Sequence, residues 1–226
     1  VYNQPHLAAC CDDNTVRLFK LDADGKFPDD PVYFKIHGAA AWVKNELAQQ
    51  HDPKRRGKAL ETLAGWKDNA SLDIIGEQIT KDQDPALRLA ATKLLIESNN
   101  PRVVKVLERA IGHGDGKVRV LAFDGLFRPL KPDLGPIDLA LKTGHPDVGV
   151  KAVQALEPLA KKDDQALSRM VDALNAQTWD VRKAALAALE SVYDAKAPTA
   201  SLTALTAKHG DVRVLALTRT LERGLL

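Results

Sequence analysis

Along most of the chain, apolar positions recur with helical spacing inside a frame that returns every 30 to 33 residues. This predicts a row of similar helical hairpins. Asp52-Pro53-Lys54-Arg55-Arg56 aligns with Asp84-Pro85-Ala86-Leu87-Arg88 and with Asp115-Gly116-Lys117-Val118-Arg119. The later copies are Pro146-Asp147-Val148-Gly149, Trp179-Asp180-Val181-Arg182 and Gly210-Asp211-Val212-Arg213. With Arg56, Arg88, Arg119, Gly149, Arg182 and Arg213 taken as equivalent, the steps are 32, 31, 30, 33 and 31 residues. Three positions on, the column reads Ala59, Ala91, Ala122, Ala152, Ala185 and Ala216. Seven positions on, it reads Leu63, Leu95, Leu126, Leu156, Leu189 and Thr220.

Each column has a physical reason. An Asp or Pro at the start supplies an N-cap or a first-turn residue for the second helix of a hairpin. The small Ala lets neighbouring helices approach, and the Leu four residues later lies on the same face one turn on. First helices are predicted near 70–81, 100–112, 134–143, 164–176 and 198–208, with one before them near 39–50. Gly112, Gly144 and Gly210 punctuate several of their ends. A hairpin of this kind leaves an apolar face that only the next hairpin covers, so stability is a sum over neighbours.

The first 36 residues have strand chemistry instead. Leu7 to Cys11, a polar turn Asp12-Asp13-Asn14 and the alternating run Thr15 to Leu21 predict a β-hairpin, and Val32 to Ile36 predicts a third strand. Two or three strands alone are marginal in water, so they need a partner. The expected fold class is mostly α: a right-handed α–α superhelix of about six hairpins over residues 38–226, behind a short β segment over residues 1–37.

The Asp-Val-Arg-x-x-Ala frames at Asp180 and Asp211, with a looser copy at Asp84, resemble short HEAT repeats, a type also seen in phycobilisome-lyase-type proteins. That resemblance implies a ladder of hydrogen bonds and ion pairs between repeats, formed by Asp84, Asp115, Asp180 and Asp211 with Arg88, Arg119, Arg182 and Arg213. Gly149 interrupts the ladder in the fourth unit, where Pro146 and the nearby Pro129 and Pro132 suggest irregular stacking. The stretch Asp13-Asn14-Thr15-Val16-Arg17-Leu18 resembles the inner part of a WD40 propeller blade, with Phe19-Lys20 in place of the usual Trp-Asp pair.

Composition then narrows the function. Of 226 residues, 45% are hydrophobic and 27% charged, with 32 basic against 30 acidic, so the charge balance announces no polyelectrolyte partner. Cys10 and Cys11 are adjacent and suit a reducing, cytoplasmic setting better than a disulfide framework. No run approaches the roughly 18 apolar residues of a membrane span. Because the chain begins at Val1 rather than Met, it reads as a piece of something longer.

Candidate chemistry is thin. His51, His113, His145 and His209 occupy similar turn positions, but repeats stacked about 10 Å apart cannot share a metal, and turn capping is the expected role. Gly112-His113-Gly114-Asp115-Gly116 follows a helix rather than a strand and lacks the Lys-Ser or Lys-Thr of a phosphate loop. No nucleophile elbow or metal motif is present, so no cofactor and no catalysis are expected. Lys54, Arg55, Arg56 and Lys58 form a basic cluster, and Trp179 stands at a turn where other copies have Pro or Gly. The expected function is a non-catalytic scaffold that binds a protein partner, with Trp179, Lys54, Arg55 and Lys58 as candidate contacts. Two alternatives stand beside it. One is nucleic-acid binding through a basic stripe, and the other is bilin lyase or isomerase activity, implied by the repeat type alone.

Overall fold

The computed structural model describes residues 6–10, 15–20, 32–35, 39–48, 51–127, 133–193 and 198–224. The predicted turn at 12–14 and the Pro-rich stretch around Pro129 and Pro132 lie outside them. The described backbone is mostly helical and packs as two compact units, Val1–Ile74 and Ile75–Leu226. By packing, the division falls inside a helix.

In the first unit, strands β1 (His6–Cys10), β2 (Thr15–Lys20) and β3 (Val32–Lys35) form an antiparallel sheet in the order β1-β2-β3. Val16 is the register partner of Cys10 on one side and of Phe34 on the other. Helices α1 (Ala39–Leu47) and α2 (Pro53–Trp66) follow and pack on each other. Asp52 caps α2 by accepting from the backbone N–H groups of Lys54 and Arg55, at 3.1 Å each, and Pro53 fits the first turn, where an N–H is dispensable. Val43, Ala59, Leu60 and Leu63 form the core here.

α3 (Asn69–Lys81) crosses the division. The second unit continues with α4 (Pro85–Glu97), a 3-10 turn at Pro101–Val103, α5 (Val104–Ala110), α6 (Gly116–Leu126), α7 (Gly135–Lys142) and α8 (Pro146–Ala160). It ends with α9 (Asp164–Ala173), α10 (Trp179–Val192), α11 (Thr199–Leu205) and α12 (Gly210–Glu222). This unit is a row of helical hairpins in which α4, α6, α8, α10 and α12 pack each on the next. Ala91, Ala122, Ala152, Ala185 and Ala216 are all fully buried at these contacts, where any larger side chain would hold the helices apart.

Asp84 and Asp115 are true N-caps, accepting from Ala86 N–H at 2.8 Å and Lys117 N–H at 3.0 Å. Asp147, Asp180 and Asp211 instead lie inside the first turn of their helices, where a carboxylate favours the positive end of the helix dipole. No helix among the described residues is long and apolar enough to cross a membrane.

Candidate functional site

The repeated arginine builds the most regular feature of the second unit. Its fork divides between two tasks. In four copies Nη1 donates to two carbonyls of the turn just before its own helix: Arg88 to Asp82 and Gln83, and Arg119 to His113 and Gly114. Arg182 does the same to Ala176 and Gln177, and Arg213 to Ala207 and Lys208. These bonds satisfy carbonyls of the turn between two helices, which have no place in either helical ladder.

Nη2 reaches forward to the next repeat. Arg88 donates to Asp115 at 2.9 Å, and Arg119 grips Asp147 through both Nε (3.1 Å) and Nη2 (2.7 Å). Arg182 bonds Asp211 through Nη2 alone. Arg119 and Arg182 keep only 10% and 8% of their side-chain surface, so these are charge-assisted bonds at largely desolvated guanidinium groups. Arg88 pulls the Asp115 carboxyl below the ordinary aspartate range, and Arg182 does the same to Asp211. At Asp147, burial pushes the carboxyl up, but the Arg119 bond and the Val148 N–H outweigh it and the net shift is down.

Two residues expected in the ladder are not joined in this way. Asp180 is exposed, and among the described residues no ion pair reaches it, because the equivalent arginine of the preceding repeat is Gly149. Gly149 has a packing reason: a Cβ there would meet Val181 Cγ2 at 2.6 Å. Arg213 has its turn carbonyls but no carboxylate among the described residues. Asp147 completes the ladder although the expected set did not include it. It stood in the aligned frame, displaced by two positions from the earlier N-caps.

Other bridges between repeats were not legible as a motif. The Glu190 side chain of α10, 7% exposed, takes Arg219 of α12 at 2.5 Å and Arg223, just past the end of that helix, at 3.1 Å. Arg169 of α9 grips Asp138 of α7 through two bonds, at 2.8 and 3.1 Å. That pair lies in a groove of about 360 Å³ whose other polar walls include Lys142, Asp172, Asn175 and Gln177. Its charges are balanced.

The expected histidine capping holds at one turn. His113 Nδ1 accepts from Asp115 N–H at 2.9 Å, which requires an unprotonated nitrogen; burial and then nearby Arg88 pull its pKa down. His145 and His209 occupy N-cap positions without a side-chain capping bond. Among the described residues no group of three or more His, Cys, Asp or Glu could hold a metal ion.

Of the candidate contact residues, Lys54, Arg55 and Lys58 are exposed on α2. Arg55 is not an unclaimed cation: Nε and Nη2 bond Glu46 at 2.5 and 2.6 Å, which raises its pKa. Trp179 is 38% exposed, and the Arg182 guanidinium carbon lies 5.9 Å from its ring centroid, within cation–π range. It opens α10 at the position where α2, α4, α6, α8 and α12 have Pro53, Pro85, Gly116, Pro146 and Gly210.

The family described as HEAT repeats matches residues 40–126. No curated protein matches the chain. Two crystal structures described as engineered proteins are similar to it at 18% identity. One covers 83% of this chain and 96% of its own with a TM-score of 0.32, and the other 81% and 58% with a TM-score of 0.29.

Proposed function

We propose that the chain is a non-catalytic scaffold that holds a protein partner on the turn edge of its repeats, with Trp179 as the anchor. The observation that carries this is the Trp179 position itself. Helix starts favour Pro, Gly or a small polar residue, and the other five second helices obey that preference. A large indole half in solvent gains nothing for helix initiation. Stacked against a guanidinium that is itself tied by three bonds, it is a pre-oriented aromatic of the kind that dominates protein interfaces.

A nucleic-acid partner finds less support. Arg88, Arg119 and Arg182 are committed to carboxylates and carbonyls, so they would have to leave the ladder to neutralise phosphates. No observation favours bilin chemistry. A propeller-blade origin for residues 1–37 rests on the stretch Asp13 to Leu18 alone, and their separation from the repeats at 38–226 rests on the change from strand to helical pattern. A cytoplasmic setting rests on the cysteine usage.

The test is quantitative affinity capture from the source cell with the wild-type chain and with Trp179→Ala, alongside thermal melts of both. The expected result is a protein recovered by the wild type and reduced about 10-fold or more by the substitution, the effect of losing a hot-spot aromatic, with melting temperatures alike. Equal recovery by both chains would overturn the assignment, as would capture dominated by nucleic acid and abolished by salt.

A further inference from the structure

At position 149 the row lacks its arginine, yet the groups that an arginine serves are still in place. In four other copies Nη1 donates to the carbonyls six and five residues before it. Counted back from Gly149, those places are Thr143 and Gly144, and among the described residues no donor reaches either carbonyl. In three copies Nη2 takes the aspartate that opens the next second helix. After Gly149 the corresponding aspartate is Asp180. It is exposed, and among the described residues no ion pair reaches it, although Lys183 stands three residues on.

Val181 fills the path of a side chain rising from position 149. It does not cover Asp180, and Thr143 and Gly144 are only half-buried, so a side chain can enter from the turn edge. A guanidinium carries five N–H donors in a planar fork and can serve a carboxylate and two carbonyls whichever way its stem arrives, which a compact ammonium with three donors does less well. Trp179 directly precedes Asp180 and is 38% exposed, so an arginine held at Asp180 lies beside an indole. Both α8 and α12 pack on α10. The row is therefore complete on either side of this junction, and no further repeat has a place at it.

We propose that Asp180 and the Thr143–Gly144 turn form a binding site for an arginine side chain of the partner protein, which enters from solvent where the row's own arginine is missing. The guanidinium donates to the Asp180 carboxylate and to the two turn carbonyls, as the ladder arginines do at their own junctions, and the residues beside it in the partner pack on Trp179. This rests on the reading of Trp179 as the anchor and adds the chemistry of what is anchored: a segment that presents an arginine.

The probe is the capped tripeptide acetyl-Gly-Arg-Gly-amide, titrated into the nitrogen-15-labelled full chain, with its lysine counterpart as the comparison. Saturable shifts are expected at the indole Nε1–H of Trp179, assigned with Trp179→Phe, and at the backbone amides of Gly144 and Asp180. The lysine peptide should bind more weakly by about 3-fold or more. Asp180→Asn, which keeps the shape and removes the charge, should weaken the arginine peptide by about 5-fold, the effect of losing one exposed ion pair, with the rest of the spectrum unchanged. No saturable shift at these three groups would overturn the site. Equal binding of the two peptides, or binding indifferent to Asp180→Asn, would do the same. Affinity capture separates this outcome from the fate of the anchor. A partner lost with both Trp179→Ala and Asp180→Asn supports the arginine site. A partner lost with Trp179→Ala but fully recovered with Asp180→Asn overturns the arginine site and leaves the anchor standing.

Discussion

Two consecutive junctions in the second unit are closed by opposite means. Between α6 and α8, Arg119 spans the gap with two bonds to Asp147 while tying down the carbonyls of its own turn. Between α8 and α10 there is no arginine; Gly149 brings the helix so close that Val181 Cγ2 occupies the space of a side chain. At the far end of this second junction, Glu157 bonds Ser191, so a polar clasp is present but in another place. The difference teaches that the ladder and the close approach exclude each other at one column. A guanidinium needs a channel between the helix starts, and Val181 has filled it. The repeat therefore tolerates loss of its most regular residue wherever backbone proximity supplies van der Waals contact in exchange.

The strongest way to break this comparison is to impose the ladder where it is absent. Gly149→Arg places a Cβ 2.6 Å from Val181 Cγ2 before the rest of the side chain is considered. The gain of a possible pair with exposed Asp180 is small against that overlap. Urea denaturation of the variant is expected to show a loss of about 3 kcal/mol, the upper range for overpacking, with part of it recovered in Gly149→Arg/Val181→Ala. A variant as stable as the parent would mean that the junction has room for an arginine and that close approach is not what holds it.

Acid sharpens the same contrast, with a smaller effect. Asp115, Asp147 and Asp211 all have folded-state pKa values below the ordinary 3.8. Their contribution is therefore complete above that value and is lost as pH falls through the lower folded values. His113 also has a lowered pKa, so on acidification the unfolded chain takes up its proton first, near 6.5, and the folded turn is weakened from there downward. Both effects have the same sign. Urea midpoints measured from pH 8 to 3 are expected to fall gently below 6.5 and steeply below 3.8, and His113→Gln should remove the gentle part. A midpoint that rose on acidification would contradict the direction of all four shifts.

Much of this architecture is legible in the sequence because the repeat columns record a short-range requirement. Ala122 or Leu156 must be small or apolar whatever else the helix does, and six aligned copies reveal it. Arg88, Arg119 and Arg182 are legible for the same reason. What the sequence hides is the partner of each arginine. The acceptor is the aspartate of the following repeat, and its place shifts between the N-cap, as in Asp115, and the second helical residue, as in Asp147 and Asp211. A carboxylate two positions apart can serve the same guanidinium because both lie on the first turn. Glu190 is harder still, since its column holds Ile96 and Glu157 in other repeats and has no constant residue type to betray it.

Asp180 gives the smallest expected effect and the cleanest reading of the broken rung. It shares the register of Asp211, one residue into its helix with a Val after it, so by sequence the two look interchangeable. By structure they are not: Arg182 holds Asp211, whereas the column that would supply a cation to Asp180 is Gly149. What remains to Asp180 is its place in the first helical turn, where a solvated carboxylate contributes about 0.3–0.5 kcal/mol through the helix dipole. Asp180→Ala should therefore shift the urea-derived stability by no more than about 0.5 kcal/mol. Asp211→Ala should cost about 1–2 kcal/mol, because it strips the nearly buried Arg182 fork of its charged acceptor. Equal losses in the two variants would mean that Asp180 has a cationic partner and that the α8–α10 junction is held electrostatically like its neighbours. A gap of a factor of two or more assigns the junction to Gly149 and Val181.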